Sequence, residues 1–196
     1  RLFLNITGIP SGVESISIAP MDGFSIFDKI GNAMDASQSI GPITYNDRLA
    51  PTIRSADLAS NNSYIDLTIS EAVYNSSFGS GALEVADFSL TFSQNSGNAT
   101  AVSITSIKKN DNIAEGSATA LSGGETVIRI FLSLTGSPSG VETIAISPVN
   151  ASSIFDGVGN AMASSETTGA IILIPCWNGM VNWSGERGSS LMILPT

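Results

Sequence analysis

Two pairs of aspartate and asparagine, each spaced four residues apart, are the first candidates for chemistry in this sequence. Asp28 and Asn32 lie in the phrase SIFDKIGNAM, and Asp156 and Asn160 lie in SIFDGVGNAM. Carboxylate and amide oxygens in one loop can share a hard cation such as Ca²⁺. A tight turn is the alternative, because aspartate accepts backbone N–H bonds and asparagine tolerates a left-handed conformation. The further acids of an EF-hand-like loop are missing, so we favour the turn.

Three other acidic residues are better candidates for a metal site, namely Asp47, Glu71 and Asp87. Asp47 lies in the linker-like phrase NDRLAPTI, where Pro51 and the polar residues before it indicate a joint between two folded units. Carboxylates near the end of one unit, together with one from a joint, are suited to holding Ca²⁺ and fixing neighbouring units rigidly. Solvated acids in an acidic protein are the alternative. Ca²⁺ is the one cofactor that the sequence leads us to consider.

Residue usage argues against common catalytic chemistry. The chain contains no histidine, which excludes Ser-His-Asp and Cys-His arrangements formed within it. Its single cysteine, Cys176, has no histidine or basic neighbour to lower its pKa, so we interpret it as an incidental thiol. Paired carboxylates for glycoside hydrolysis usually accompany an aromatic-lined cleft, but aromatic residues are 7% of this chain and fall mostly at predicted inward positions. We therefore predict that the protein is not an enzyme.

The charge balance excludes two classes of partner. The formal net charge is −9, and lysine and arginine together number only 8 with no basic run. Binding to nucleic acid requires clustered basic side chains that displace counterions from phosphates, and an anionic membrane surface requires the same. No apolar run is long enough to cross a membrane. We expect neither a nucleic-acid partner nor membrane insertion.

The recurrence of the SIFD phrase belongs to a longer internal repeat. Residues 1–44 (the first copy) align without a gap with residues 129–172 (the second copy) at an offset of 128, and 24 of the 44 positions are identical. Residues 45–128, the single-copy segment, occur once. Such self-similarity indicates a repeated structural unit. We predict a C-terminal half-module at 1–47, a complete module at 48–174, and an atypical tail or the start of another module at 175–196.

Period-two alternation predicts β-strands rather than helices. The segment TVIRIFLSL places Ile128, Ile130, Leu132 and Leu134 on one face and Arg129 and Ser133 on the other, and the first copy repeats this inward set as Leu2, Leu4 and Ile6. SYIDLTIS and DFSLTF alternate in the same way, with turn clusters such as TGSPSG between the strands. About seven short strands with turns between them favour an antiparallel two-sheet sandwich.

The phrases ISEAVYNSSFGSGALEVADFSLTF, LSGGETVIRIFLSLTGSPSGVETIAISP and SIFDGVGNAM, together with the joint NDRLAPTI that precedes them, resemble bacterial immunoglobulin-like repeats. The resemblance covers roughly residues 1–174. It implies an all-β, immunoglobulin-like antiparallel β-sandwich, export to the cell surface or extracellular space, and no enzymatic activity. It further implies a role in spacing, presentation or cell adhesion within a long protein, with neighbouring immunoglobulin-like modules as partners and a protein or glycan as a possible ligand.

An alternative function and a partner for the half-module also follow from the sequence. A carbohydrate-binding accessory module of a secreted enzyme is the alternative function, and Tyr64, Tyr74, Trp177 and Trp183 are the aromatic residues that could supply its platform. The half-module at 1–47 would expose apolar strand faces. We expect it to pair with the tail, with the complete module, or with a second chain through self-association.

Overall fold

The computed structural model describes residues 1–175 and shows an all-β chain in which every strand pairing is antiparallel. Residues 176–196, which include Cys176, Trp177, Trp183 and nearly all of the predicted tail, lie outside the described residues. The described elements are β1 (Ser15–Ile18), β2 (Ile40–Thr44), β3 (Ile53–Leu58), β4 (Tyr64–Val73), a one-turn 3-10 helix (Val85–Asp87), β5 (Phe88–Ser93), β6 (Ala101–Lys108), β7 (Glu125–Thr135), β8 (Thr143–Pro148) and β9 (Ile171–Ile172).

The strands form three sheets. A four-stranded sheet has the order β3-β4-β7-β6, a three-stranded sheet has the order β5-β8-β9, and β1 and β2 form a separate pair. The predicted all-β class is confirmed, and the 3-10 helix at Val85–Asp87 is a single turn directly before β5. Among residues 1–175, no helix has the length and apolar character that crossing a membrane requires.

One apolar core joins the two larger sheets. Ile65, Leu67 and Ile69 of β4 point into it, as the alternating pattern predicted, and they meet Ile144 and Ile146 of β8 in the same cluster. The remaining fully buried contributors come from the end of β4, from β7 and from the loops around β8 and β9, namely Val73, Ile128, Ile130, Ile154, Met162 and Leu173. A core shared by two antiparallel sheets is consistent with the predicted β-sandwich.

Strand β7 keeps the predicted alternation of faces, but Arg129 is more buried than the pattern indicates. The sequence placed this side chain on a solvent face, but it is 6% exposed. Its guanidinium lies 3.8 Å from the centroid of the Tyr64 ring and donates two hydrogen bonds to Asp66, of 2.7 and 2.6 Å. Its exposure was mispredicted because side chains on the same face of the neighbouring strand β4, an aromatic ring and a carboxylate, cover the arginine.

The first copy reproduces the local structure of the second. Strand β1 pairs with β2 through Ser15↔Thr44 and Ile16↔Ile43, and β8 pairs with β9 through the equivalent Thr143↔Ile172 and Ile144↔Ile171. Residues 1–7, which are equivalent to the C-terminal part of β7, however, are not in a strand. Leu2, Leu4 and Ile6 are all exposed, so their predicted strand is wrong. Strand β7 lies between β4 and β6, and the first copy has no counterpart of either neighbour to supply its hydrogen bonds.

Candidate functional site

Three carboxylates converge where the linker at residue 47 meets the larger sheets. One carboxylate oxygen from each of Asp47, Glu71 and Asp156 lies within 4.8 Å of the others. Asp47 lies in the linker before β3, Glu71 lies in β4, and Asp156 lies in the loop that follows β8. The fold thus brings together three acids that are far apart in the sequence. We call these three residues the acidic cluster.

Asp156 is fixed by the turn that the sequence predicted. Its Oδ1 accepts the backbone N–H groups of Val158, Gly159 and Asn160 at 2.9, 2.6 and 2.8 Å. Its Oδ2 accepts a 2.6 Å bond from the side-chain amide of Asn160. Gly159 has a φ of 102°, which an L side chain rarely adopts. The carboxylate is therefore held rigidly, is only 1% exposed, and still faces Asp47 and Glu71.

Asp47 is half-buried and is positioned by its own linker. Its Oδ1 accepts the backbone N–H of Leu49 at 2.9 Å, a local bond typical of aspartate at a turn. The adjacent Arg48 N–H donates to the carbonyl oxygen of Pro10 at 2.9 Å, which ties the linker to the first copy. The side-chain nitrogen of Asn160 lies 3.5 Å from the carbonyl oxygen of Leu49 and ties the linker to the Asp156 turn. The linker carboxylate therefore lies between the two repeated parts of the chain.

Glu71 carries the strongest electrostatic signature of the cluster. Burial raises the pKa of its carboxyl, and the negative charges of Asp156 and Asp47 raise it further, to about 7. Burial and the two neighbouring carboxylates both disfavour the charged form of Glu71, so that it retains its proton above the ordinary range of a carboxylic acid. A bound cation would remove that penalty. Three carboxylates supply part of the six to eight oxygen ligands that Ca²⁺ takes, with backbone carbonyls and water as the usual remainder.

Asp87 lies elsewhere and is not one of the converging carboxylates. Its Oδ2 accepts the backbone N–H of Glu84 at 2.8 Å, and its own N–H donates to the Glu84 carbonyl at 3.0 Å. Its pKa is raised by burial and by the charge of Glu84, and this hydrogen bond partly opposes the rise. The side chain organises the 3-10 turn before β5. Of the three residues predicted as ligands, the structure brings Asp47 and Glu71 together and adds Asp156.

The sequence contains a signal for Asp156, because its spacing to Asn160 suits either a hard cation or a tight turn, and the prediction favours the turn. Asp28, its equivalent, makes the same turn: its Oδ1 accepts the Asn32 N–H at 2.8 Å and its Oδ2 accepts the Asn32 amide at 2.8 Å. Asp28 is exposed and is not part of the acidic cluster. The turn therefore forms with or without acidic neighbours. Asp156 belongs to the acidic cluster because β4 and the linker place Glu71 and Asp47 beside it.

Two of the four aromatic residues predicted as a carbohydrate platform, Tyr64 and Tyr74, lie within residues 1–175, and they do not lie together. Tyr64 begins β4 and contacts Arg129 and the edge of the Phe131 ring, whose centroid is 6.0 Å away. Tyr74 follows the end of the same strand and lies near Gly123, Gly124 and Gly157. Ten residues of strand at about 3.3 Å each place the backbone positions of the two tyrosines about 30 Å apart. They therefore belong to separate surfaces rather than to one platform.

Comparison of the chain with protein-family models, with curated proteins and with solved structures finds no match.

Proposed function

We propose that this chain is a non-catalytic structural part of a long extracellular or cell-surface protein, built from immunoglobulin-like sandwich modules that space or present other parts of it. The observation that carries the proposal is that one half-module sequence occurs twice and adopts the same local structure twice. In both copies the strand pairing and the aspartate turn are the same. Repetition of a structural unit is typical of proteins whose function depends on length and spacing.

The polar chemistry of the chain supports the same proposal. Charged residues are 13% of the sequence, and many exposed loop positions between the strands are serine, threonine, asparagine or glycine.

The buried carboxylate of Glu142 stabilises the fold through hydrogen bonds to two loops. Its Oε1 accepts the Ala99 N–H at 2.9 Å and its Oε2 accepts the Ser139 N–H at 2.9 Å, so it connects two loops of the sandwich.

Labelling of intact cells tests the surface location. Antibodies raised against residues 1–196 are expected to bind unpermeabilised cells of the source organism and to detect a polypeptide much larger than 20.2 kDa in extracts. Labelling that requires permeabilisation would contradict the proposal. A specific glycan-array signal from the purified chain would instead favour the carbohydrate-binding alternative.

We further propose that the acidic cluster holds Ca²⁺ and stiffens the link between the first copy and the sandwich. The supporting observation is the convergence of a linker carboxylate, Asp47, with two sandwich carboxylates, Glu71 and Asp156. One ion bound to all three would cross-link the linker to β4 and to the turn after β8. Stiffening of this kind suits a protein that spaces its parts at fixed distances.

Thermal unfolding with and without Ca²⁺ tests the metal proposal. At a free Ca²⁺ concentration 100 times the dissociation constant, binding to the native state adds about 2.7 kcal/mol to the free energy of unfolding. The response is expected to be larger at pH 8 than at pH 6, because Glu71, whose pKa is about 7, must lose its proton to act as a ligand.

Two charge-neutralising variants separate a specific site from general screening of an acidic protein. Glu71→Gln is expected to abolish the response to Ca²⁺. Glu115→Gln, which neutralises an exposed carboxylate in the loop between β6 and β7, is expected to retain it. An unchanged melting temperature at saturating Ca²⁺, or an equal response in the two variants, would contradict the metal proposal.

A further inference from the structure

The two copies differ in how they are covered, although their local structures agree. Ile26 is 45% exposed and Met34 is 43% exposed, whereas the equivalent Ile154 and Met162 are 0% and 1% exposed. The backbone bond between each pair is the same: Met34 N–H donates to Ile26 at 2.8 Å, and Met162 N–H donates to Ile154 at 2.9 Å. The same sequence in the same conformation is thus core in one copy and surface in the other.

The single-copy segment supplies the missing cover in the second copy. Strand β5 pairs along β8 with Leu90 opposite Ile146 and Phe88 opposite Pro148. Strands β4 and β6 flank β7 on its two edges. In the first copy, β1 is the equivalent of β8 and pairs only with β2. One edge of β1 and the apolar face beside it therefore have no counterpart of β5.

An apolar cavity marks where that counterpart would lie. It has a volume of about 290 Å³, and its lining includes Ile18, Pro20, Ile26 and Met34. The equivalent residues of the second copy, Ile146, Pro148, Ile154 and Met162, face the sandwich in which Phe88 is also buried. The cavity is therefore shaped by residues that in the second copy pack with a strand of the single-copy segment.

A polar group in the first copy points to the same occupant. Glu14 accepts the N–H and the hydroxyl of Ser11, both at 2.9 Å, as its equivalent Glu142 does with Ser139. Glu142 additionally accepts the N–H of Ala99, which belongs to the single-copy segment. Glu14 is exposed and has no such third donor among the hydrogen bonds of residues 1–175. A loop equivalent to the one before β6, which carries Ala99, would supply this third donor.

Exchange of segments between two molecules of this chain cannot provide the cover. Each molecule contains two copies of the repeated half and one single-copy segment. A single-copy segment that moved onto the first copy of a neighbour would uncover its own second copy. No additional apolar area would be buried, so the hydrophobic effect does not favour the exchange.

We propose that the first copy is a docking face for a further segment of the same kind as residues 45–128. Such a segment pairs a β5-like strand with β1, fills the cavity beside Ile26 and Met34, and draws residues 2–6 into a strand between its own β4-like and β6-like strands. The proposal rests on the modular function proposed above. It predicts that each repeated half becomes stable only when a single-copy segment covers it.

A fusion to the full chain tests this docking directly. Residues 45–128 are added ahead of Arg1, so that Ile128 is followed by Arg1 as it is followed by the equivalent Arg129 within β7. The amide of Met34 is expected to exchange with solvent about 100-fold more slowly in the fusion than in the unmodified chain. Binding of an environment-sensitive apolar dye is expected to fall at the same time, because the exposed apolar face is covered.

A matched fusion checks that the added strand is responsible. It carries Phe88→Asp and Leu90→Asp in the added segment alone, and is expected to leave the Met34 exchange rate as it is in the unmodified chain. Unchanged Met34 exchange in the first fusion would overturn the proposal. It would also be overturned if Met34 were already protected in the unmodified chain as a dimer, or only when residues 176–196 were present, because a second chain or the tail would then be the occupant. Surface labelling of cells is independent of all these results.

Discussion

Replacing the same isoleucine by alanine in each copy distinguishes a buried position from an exposed one within a single chain. Ile154 and Ile26 occupy the same place in the repeated SIFD phrase, and they are 0% and 45% exposed. Ile154 belongs to the core cluster with Met162 and Phe88. The two substitutions remove the same atoms from the same local sequence, so local strand propensity contributes equally to both.

The expected magnitudes follow from burial. Shortening isoleucine to alanine removes about three carbon groups, each worth about 0.8 kcal/mol when fully buried, or about 2.4 kcal/mol in all. At Ile154 the closed core adds a cavity penalty, which brings the expected loss of unfolding free energy to about 3–4 kcal/mol. At Ile26 about half of the side chain is already in water and no closed cavity forms, so the expected loss is about 1 kcal/mol or less.

Urea denaturation at pH 7, followed by far-UV circular dichroism, measures both losses. With an m-value of about 2 kcal/mol/M, Ile154→Ala is expected to lower the midpoint by about 1.5–2 M. Ile26→Ala is expected to lower it by about 0.5 M or less. Equal shifts in the two variants would refute the assignment of one copy to the core and the other to the surface. A loss below about 1 kcal/mol at Ile154 would refute it as well.

Two further predictions concern buried charges. Burial acts to raise the pKa of Glu142, but hydrogen bonds from Ala99 and Ser139 outweigh it and lower the pKa to about 2. As the pH drops from about 4.5 to about 2, the unfolded state therefore takes up the proton first, and the free energy of unfolding is expected to fall. Urea midpoints measured across that range are expected to fall less steeply in Glu142→Gln. Asp66→Asn leaves the buried guanidinium of Arg129 without its carboxylate, and urea denaturation is expected to show a loss of about 3 kcal/mol in unfolding free energy. Asp57→Asn, the control, changes an exposed carboxylate opposite Asp66 on β3 and is expected to lose about 0.5 kcal/mol or less. Similar losses in both aspartate variants, or the same acid slope with and without Glu142, would contradict these assignments.

Strands could be predicted from the sequence wherever one face is buried and the other is not. Ile65, Leu67 and Ile69 alternate with more polar residues, and the structure buries all three. Arg129 could not be placed in the same way, because its cover comes from Tyr64 and Asp66 on another strand. Alternation reports the faces of a strand but not what its neighbours place on them.

The strand expected at Leu2, Leu4 and Ile6 shows a second limit of the sequence pattern. These residues have the same alternation as Ile130, Leu132 and Leu134 in β7, yet they form no strand. A strand requires hydrogen-bonding neighbours, and the pattern records only the preference for having them. The repeat nevertheless predicted where the apolar surface would be exposed.

The candidate metal site was predictable only in part. Asp47 and Glu71 were identified from their types and their positions near a joint, and the structure brings them together. Asp156 replaces Asp87 in the cluster because the turn after β8 folds against β4, a contact between segments 85 residues apart in the sequence. Spacing along the chain carries no information on a contact of that kind.

One copy of the repeat is covered and the other is not, and hydrogen exchange of two equivalent amides measures this difference. In the unmodified chain, the amides of Met34 and Met162 donate to Ile26 and Ile154 in bonds of 2.8 and 2.9 Å. Because their bonds are alike, a difference in exchange reports the cover above them. The Met162 amide is expected to exchange at the slow rate of the global core, and Met34 about 100-fold faster or more. Equal protection of the two amides would contradict the claim.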